Sequence, residues 1–154
     1  MHTLLLFIHI CAGVTGLLLG PLAMTARKRR GLHTRAGTAY QVAVAVLTAS
    51  AVGLAMLAWD RLWWFVLIAA GTEAAALGGL WVRRRRFAGW LPWHVSLMCG
   101  SYVSFVTALL VVNWGSPLAW ILPTVIGSPL ITRAAARVRP RPVRAAPRAD
   151  PVPR

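Results

Sequence analysis

The sequence predicts an all-α protein: a polytopic transmembrane helical bundle of four long spans plus a short, proline-interrupted fifth. Three observations predict it. The chain is 58% hydrophobic with a mean hydropathy of +0.63, beyond the range of an ordinary soluble domain. Sixteen of its seventeen Lys and Arg residues fall into three patches, Arg27–Arg35, Arg83–Arg86 and Arg133–Arg154, with Arg61 alone outside them. The mostly apolar chain between the patches divides into runs of about 20 residues, the length that crosses ~30 Å of hydrocarbon as a helix.

Short loops rich in Lys and Arg stay in the cytoplasm, so the patches also orient the chain, with the N-terminus outside and the C-terminus cytoplasmic. The first span is expected from about Thr3 to Met24. Only Met1, His2 and Thr3 precede it, and its basic cluster follows it, which is the order of a retained anchor and not of a cleaved signal. The second span is expected over about Ala36 to Ala58, followed by an external turn at Trp59-Asp60-Arg61. The third covers about Leu62 to Val82 and ends in Arg83–Arg86. Trp90 and Trp93 are expected in the next loop as interfacial anchors, and the fourth span over about His94 to Trp114. The last apolar stretch, Leu118 to Thr132, has only about 15 residues, short for a crossing, and contains Pro123 and Pro129. Buried neighbours can satisfy the backbone groups that proline frees, and ending inside keeps the final arginines cytoplasmic. This divides the chain into a membrane bundle, residues 1–132, and an Arg/Pro-rich cytoplasmic tail, residues 133–154, expected to be disordered.

A net charge of +14 raises nucleic-acid binding. Here the charges flank spans instead of forming a face, so no nucleic-acid partner is expected. Arg27, Lys28, Arg29, Arg30, Arg83, Arg84, Arg85 and Arg86 are read instead as patches that meet anionic headgroups of the bilayer. Cys11 and Cys99 lie inside spans and read as small apolar residues. His9, Gly13, Gly16 and Gly20 share one face of the first span, and Gly71 and Gly78 stand seven apart in the third, spacings that let helix backbones approach in lipid.

Polar groups at membrane depth are the functional candidates. Glu73 lies near the middle of the third span, where the ionised acid costs several kcal/mol unless paired. It reads either as a neutral acid hydrogen-bonded between helices or as a proton-carrying or cation-coordinating group. By helix rise, His9 stands roughly 9 Å inside its span and about 7 Å from Glu73 along the membrane normal. Tyr102 falls near the height of Glu73, and Thr48 and Thr107 near that of His9, so an intramembrane polar seam of His9, Glu73, Tyr102, Thr48 and Thr107 is expected.

His33 and His94 form a second constellation, at the cytoplasmic boundary with Arg35 and Arg83–Arg86 nearby. Two imidazoles facing each other, with arginines to hold carboxylates, is what a b-type haem requires; two interfacial histidines making ordinary hydrogen bonds is the alternative. No third ligand stands beside them and Glu73 is too deep, so no metal site is assigned. His9 lies roughly 22 Å from the inner end of its span and cannot join them.

His9-Ile10, Gly13, Gly20-Pro21-Leu22, the basic run, and His33 followed by Gly37 and Tyr40 resemble the opening of a bacterial membrane-protein family catalogued as domain of unknown function 2306. His94, Met98 and Tyr102 resemble its second histidine motif, the resemblance covering residues 5 to 110. Thr34 and Val95 stand where the family carries arginine after each histidine. The resemblance implies a multi-span helical protein of the bacterial cytoplasmic (inner) membrane and offers His9, His33 and His94 as functional positions, without implying an activity.

Three functions remain open. One is a redox-associated component holding haem through His33 and His94. Another is a proton- or cation-coupled carrier or channel component using a Glu73–His9 relay. The third is a non-catalytic subunit in which every polar group is structural. No Gly-rich phosphate loop, Cys-X-X-Cys pair or Ser-His-Asp set is present, so the reading leans away from an enzyme. Several small-residue faces also suit a homo-oligomer or a membrane-complex partner. Alkaline phosphatase fused after Asp60 is expected to be active and fused after Arg86 or Arg139 inactive; activity at Arg139 would remove the fifth crossing.

Overall fold

A computed structural model describes residues 2–27 and 31–139. Five helices follow one another: α1 (His2–Thr25), α2 (Leu32–Leu57), α3 (Trp59–Arg85), α4 (Trp90–Trp114) and α5 (Leu118–Arg137). All five are long and apolar enough to cross a membrane, and no strand occurs among the described residues.

The ends depart from the sequence expectations in four places. α2 begins at Leu32 instead of about Ala36, which takes His33 into the helix. Trp59-Asp60-Arg61 is not a turn but the first turn of α3, and the chain breaks at Ala58 alone (φ −141°, ψ 51°). Asp60 then lies where the helix dipole favours a negative charge. Trp90 and Trp93 likewise belong to the first turn of α4, after Gly89 takes a left-handed conformation (φ 77°) that ends the short connection from α3. Finally, α5 runs through Pro123 and Pro129 without a break and continues to Arg137, so residues 133–137 are helical rather than disordered. Ala134, Ala135 and Ala136 are strong helix formers, and Pro140 forbids much further extension. The helix therefore has 20 residues, enough for ~30 Å. The rest of the expected tail, from residue 140, and the patch residues Lys28, Arg29 and Arg30 lie outside the described residues.

Neighbouring helices pack antiparallel, and the partners give the register. Along α1 and α2, Leu5 meets Gly53, His9 meets Ser50, Gly13 meets Leu47 and Ala23 meets His33. Thr48 of α2 meets Glu73 of α3; Thr72 and Gly79 of α3 meet Ser104 and His94 of α4; Val103 of α4 meets Gly127 of α5. Contacts of Phe105 with Gly16 and of Tyr102 with Gly20 join α4 back to α1. The first four helices thus close into a ring, and α5 packs on the outside of α4, with Trp120 reaching Trp64 of α3 (centroids 5.0 Å apart). Arg27, Arg35, Arg83–Arg86, Arg133, Arg137 and Arg139 consequently gather at one end of the bundle.

The interior is small and polar where the exterior is large and apolar. Buried positions are filled by Ala, Gly, Ser, Thr, Tyr40, Val44, Leu47 and Phe105, while Leu4, Phe7, Leu18, Leu67, Val112 and Val125 point outward. Lipid is as apolar as leucine, so close approach of backbones, not exclusion of water, draws such helices together. The stripe Gly13, Gly16, Gly20 does this against Leu47, Phe105 and Tyr102. Gly78 packs on Leu97, but Gly71 is exposed and a Cβ there would meet nothing within 4 Å.

Gly20→Ala would drive a methyl into the ring of Tyr102 and break that residue's bond to α1. It is expected to lower stability by about 1–3 kcal/mol, read by thermal unfolding in detergent. Gly71→Ala is expected to leave the transition unchanged or raise it slightly.

Candidate functional site

A helix in lipid must satisfy its hydroxyls within the protein, and most do so on their own backbone. Thr15, Thr38, Thr72, Thr107 and Thr132 each donate to the carbonyl four residues back, at 2.7–2.9 Å. A hydroxyl whose proton is spent this way still accepts, and that spare capacity builds the links between helices. Ser101 donates to Met98 O (2.8 Å), so Tyr40 is the donor in the Tyr40–Ser101 bond (3.0 Å). Ser50 donates to Leu47 O (2.9 Å), so His9 donates from Nδ1 to Ser50 Oγ (3.0 Å). By the same reasoning Ser104 donates to Thr72 (2.7 Å).

The expected polar seam divides over two faces of α2. Thr48 donates to Glu73 Oε2 at 3.0 Å and also lies near Val44 O (2.9 Å) and Ala45 O (3.2 Å), so one proton serves three acceptors in turn. His9 is joined to Ser50 instead. Residues 48 and 50 are about 200° apart around the helix, so Thr48 faces α3 while Ser50 faces α1. Among the described residues no hydrogen bond joins His9 to Glu73. Tyr102 turns away from both, donating to Leu17 O (3.2 Å) and resting near Tyr40 (centroids 6.4 Å apart). Thr107 is buried and bonded to its own helix.

The two histidines at the basic end are held alike. His33, near the start of α2, donates from Nδ1 to Ala23 O of α1 (2.7 Å). His94, near the start of α4, donates from Nδ1 to Gly79 O of α3 (2.8 Å). In both rings this places the lone pair of the neutral imidazole on Nε2. A ring nitrogen fixed to a carbonyl is also how a ligating histidine is usually oriented.

Their relative height follows from Tyr40 and Ser101. The two residues bridge α2 and α4, which run parallel on opposite corners of the ring with all Cα atoms more than 8 Å apart. His33 precedes Tyr40 by seven residues and His94 precedes Ser101 by seven. Seven residues are two turns, about 10.5 Å, and return to the same helix face within about 20°. Counting thus puts each histidine two turns from its end of the bridge, while its ring turns to the neighbouring helix of its own hairpin, α1 for His33 and α3 for His94. Gly37, one turn after His33 on α2, is half-buried, and a Cβ there would meet nothing within 4 Å.

Of the flanking arginines, Arg83 is best placed. It is half-buried and one turn beyond Gly79, on the α4 side of α3. Arg35 is exposed, two residues and about 200° from His33. Arg27, Arg84, Arg85 and Arg86 are exposed, with Arg85 lying over the ring of Trp81 (5.6 Å). Trp90 tilts against His94 (centroids 6.1 Å apart).

Sequence reasoning passed over Ser50 and Thr72, because a hydroxyl residue in an apolar helix is locally indistinguishable from a small packing residue, and Ser101 and Ser104 come into view there only as nucleophiles without a histidine at their level. It also passed over Gln41, whose amide nitrogen and oxygen are both buried without a hydrogen-bond partner. Gln41 lies seven residues before Thr48, a spacing that assigns it to the α3-facing side. No protein-family model, curated protein or solved structure matches the chain.

A double-mutant cycle of His9→Ala and Ser50→Ala is expected to give a coupling of about 0.6–1.7 kcal/mol, the range of hydrogen bonds between membrane helices. The cycle of His9→Ala with Glu73→Gln is expected to give a coupling near zero.

Proposed function

We propose that this chain is a five-span protein of a bacterial cytoplasmic membrane, N-terminus outside and C-terminus inside. In this reading it holds one b-type haem between His33 and His94 and serves as a redox-associated membrane component without catalytic chemistry of its own. The observation that carries the reading is the shared offset: each histidine stands two turns before one end of the Tyr40–Ser101 bridge between parallel helices. The donor chemistry agrees, since both Nδ1–H groups go to carbonyls and both lone pairs fall on Nε2.

A haem bound there would supply one-electron chemistry. The chain's own residues do the rest. Ala23 O and Gly79 O fix the tautomer and tilt of the two rings, and the carbonyl bonds make each imidazole a stronger donor at Nε2. Arg83, half-buried at the basic end, would hold a haem carboxylate. Tyr40, 2% exposed, and Val44, fully buried, close the site toward the middle of the bundle, excluding water and lowering the local dielectric. The resemblance to the family named above offers the same two histidines.

The alternative carrier function rests on Glu73, whose carboxyl accepts a hydrogen bond from Thr48 (3.0 Å) and could itself take up and release a proton. The placement of His9 on the other side of α2 leaves such a relay without its second member.

Protein purified in mild detergent from haem-supplied cells is expected to show a Soret band that shifts on dithionite reduction, with sharp α and β bands. His33→Ala and His94→Ala are each expected to abolish it, and Glu73→Gln to leave it intact. A featureless spectrum from protein that is folded by circular dichroism would remove the haem and turn attention to Glu73.

A further inference from the structure

We propose that the cleft between the first turns of α4 and the last turn of α5 binds the phosphate headgroup of an anionic phospholipid, with Arg139 as the cationic contact. This inference does not depend on haem.

An open cleft of ≈ 410 Å³ is lined by Gly89, Pro92, Trp93, Ser96, Ala135 and Arg139. A smaller one of ≈ 200 Å³ shares Gly89 and Pro92 and extends it along Trp90 and Val138. The lining combines one guanidinium, one hydroxyl and an indole that is 59% exposed, on apolar walls. That is the chemistry of a charged, hydrogen-bonding head joined to hydrocarbon, and not of a wholly apolar or wholly polar ligand.

Depth agrees with the chemistry. Trp93 and Ser96 lie three and six residues into α4, roughly 5 and 9 Å along the axis. The headgroup layer on each side of the hydrocarbon is about 5–8 Å thick. A phosphate at the mouth of the cleft would meet Arg139, whose long stem lets its head remain at the interface, while the glycerol and first methylenes would lie along Trp93 and Ala135.

Charge complementarity selects an anion from outside the chain. The acids among the described residues are Asp60 and Glu73, both on α3, at the far end and at mid-length. No described side chain at the cleft can neutralise Arg139. Arg86, which ends α3, and Arg137 on the last turn of α5 add to the same positive field. The cleft opens between two membrane-length helices, one of which, α5, packs on the ring through α4, so a lipid bound there would also fasten α5 to the bundle.

Native mass spectrometry of the full chain, released from detergent and titrated with defined lipids, tests this. Phosphatidylglycerol is expected to give the first adduct at lower concentration than phosphatidylcholine. Arg139→Gln is expected to weaken that adduct about fivefold, the effect of one arginine near a charged surface. Arg61→Gln, which removes an exposed arginine at the opposite end of the bundle, is expected to leave it unchanged. Trp93→Ala, at a second exposed position, is expected to weaken it independently. Equal affinity for the two lipids would overturn the proposal, as would wild-type binding by Arg139→Gln. Displacement of the adduct by inorganic phosphate at equal concentration would make this a free-anion site and overturn the lipid assignment.

Discussion

Tyr40 reaches across the diagonal of the four-helix ring to Ser101, and this contact sets the relative height of α2 and α4. Neither helix touches the other through its backbone, so side chains alone carry the register. Tyr40 is 2% exposed and Ser101 fully buried, which makes the bond hard to give up: in a dry interior the phenol has nothing else to donate to, and an unsatisfied hydroxyl costs several kcal/mol. Because α2 and α4 run parallel, His33 and His94, each seven residues before one end of that bridge, lie on the same side of it.

A second regularity follows from the chemistry of hydroxyls in lipid. A serine or threonine that gives its proton to its own backbone keeps its lone pairs, and a donor on a neighbouring helix uses them. His9 on Ser50, Tyr40 on Ser101 and Ser104 on Thr72 are the same device at three heights. The histidines at the basic end invert it, donating directly to carbonyls of α1 and α3. Each of the hairpins α1–α2 and α3–α4 is thus closed at that end by a histidine near the start of its second helix, bonded to a carbonyl near the end of its first. The two hairpins are alike in construction, with their histidines on opposite corners of the ring.

The small residues and the polar residues cooperate in this. Gly16 and Gly20 bring α1 against Phe105 and Tyr102, which holds the ring closed at the level of the Tyr40–Ser101 bond. Gly79 admits Met98 and offers its carbonyl to His94 on the same side of α3. A side chain at either place would separate the helices whose spacing the hydrogen bonds require. Packing and polar satisfaction are therefore one constraint and not two.

The sequence by itself determined the number of helices, nearly all their extents, the gathering of the arginines and the identity of the polar candidates. Hydrocarbon thickness imposes a length on each apolar run, and that length is read locally, residue by residue. It misplaced only local details: Trp59-Asp60-Arg61 and Trp90 joined helices because single residues, Ala58 and Gly89, suffice to end the connections, and the alanines after Arg133 prolonged α5. What only the tertiary structure decided was which polar groups meet. Height can be counted along a sequence, but azimuth has meaning only once neighbours are in place. Thr48 and Ser50 are separated by 3 Å of rise and about 200° of rotation, so residues that seemed to form one seam by depth serve two different interfaces. His33 and His94 likewise take their partners from the adjacent helix of their own hairpin, Ala23 O and Gly79 O, contacts that no count along one helix announces.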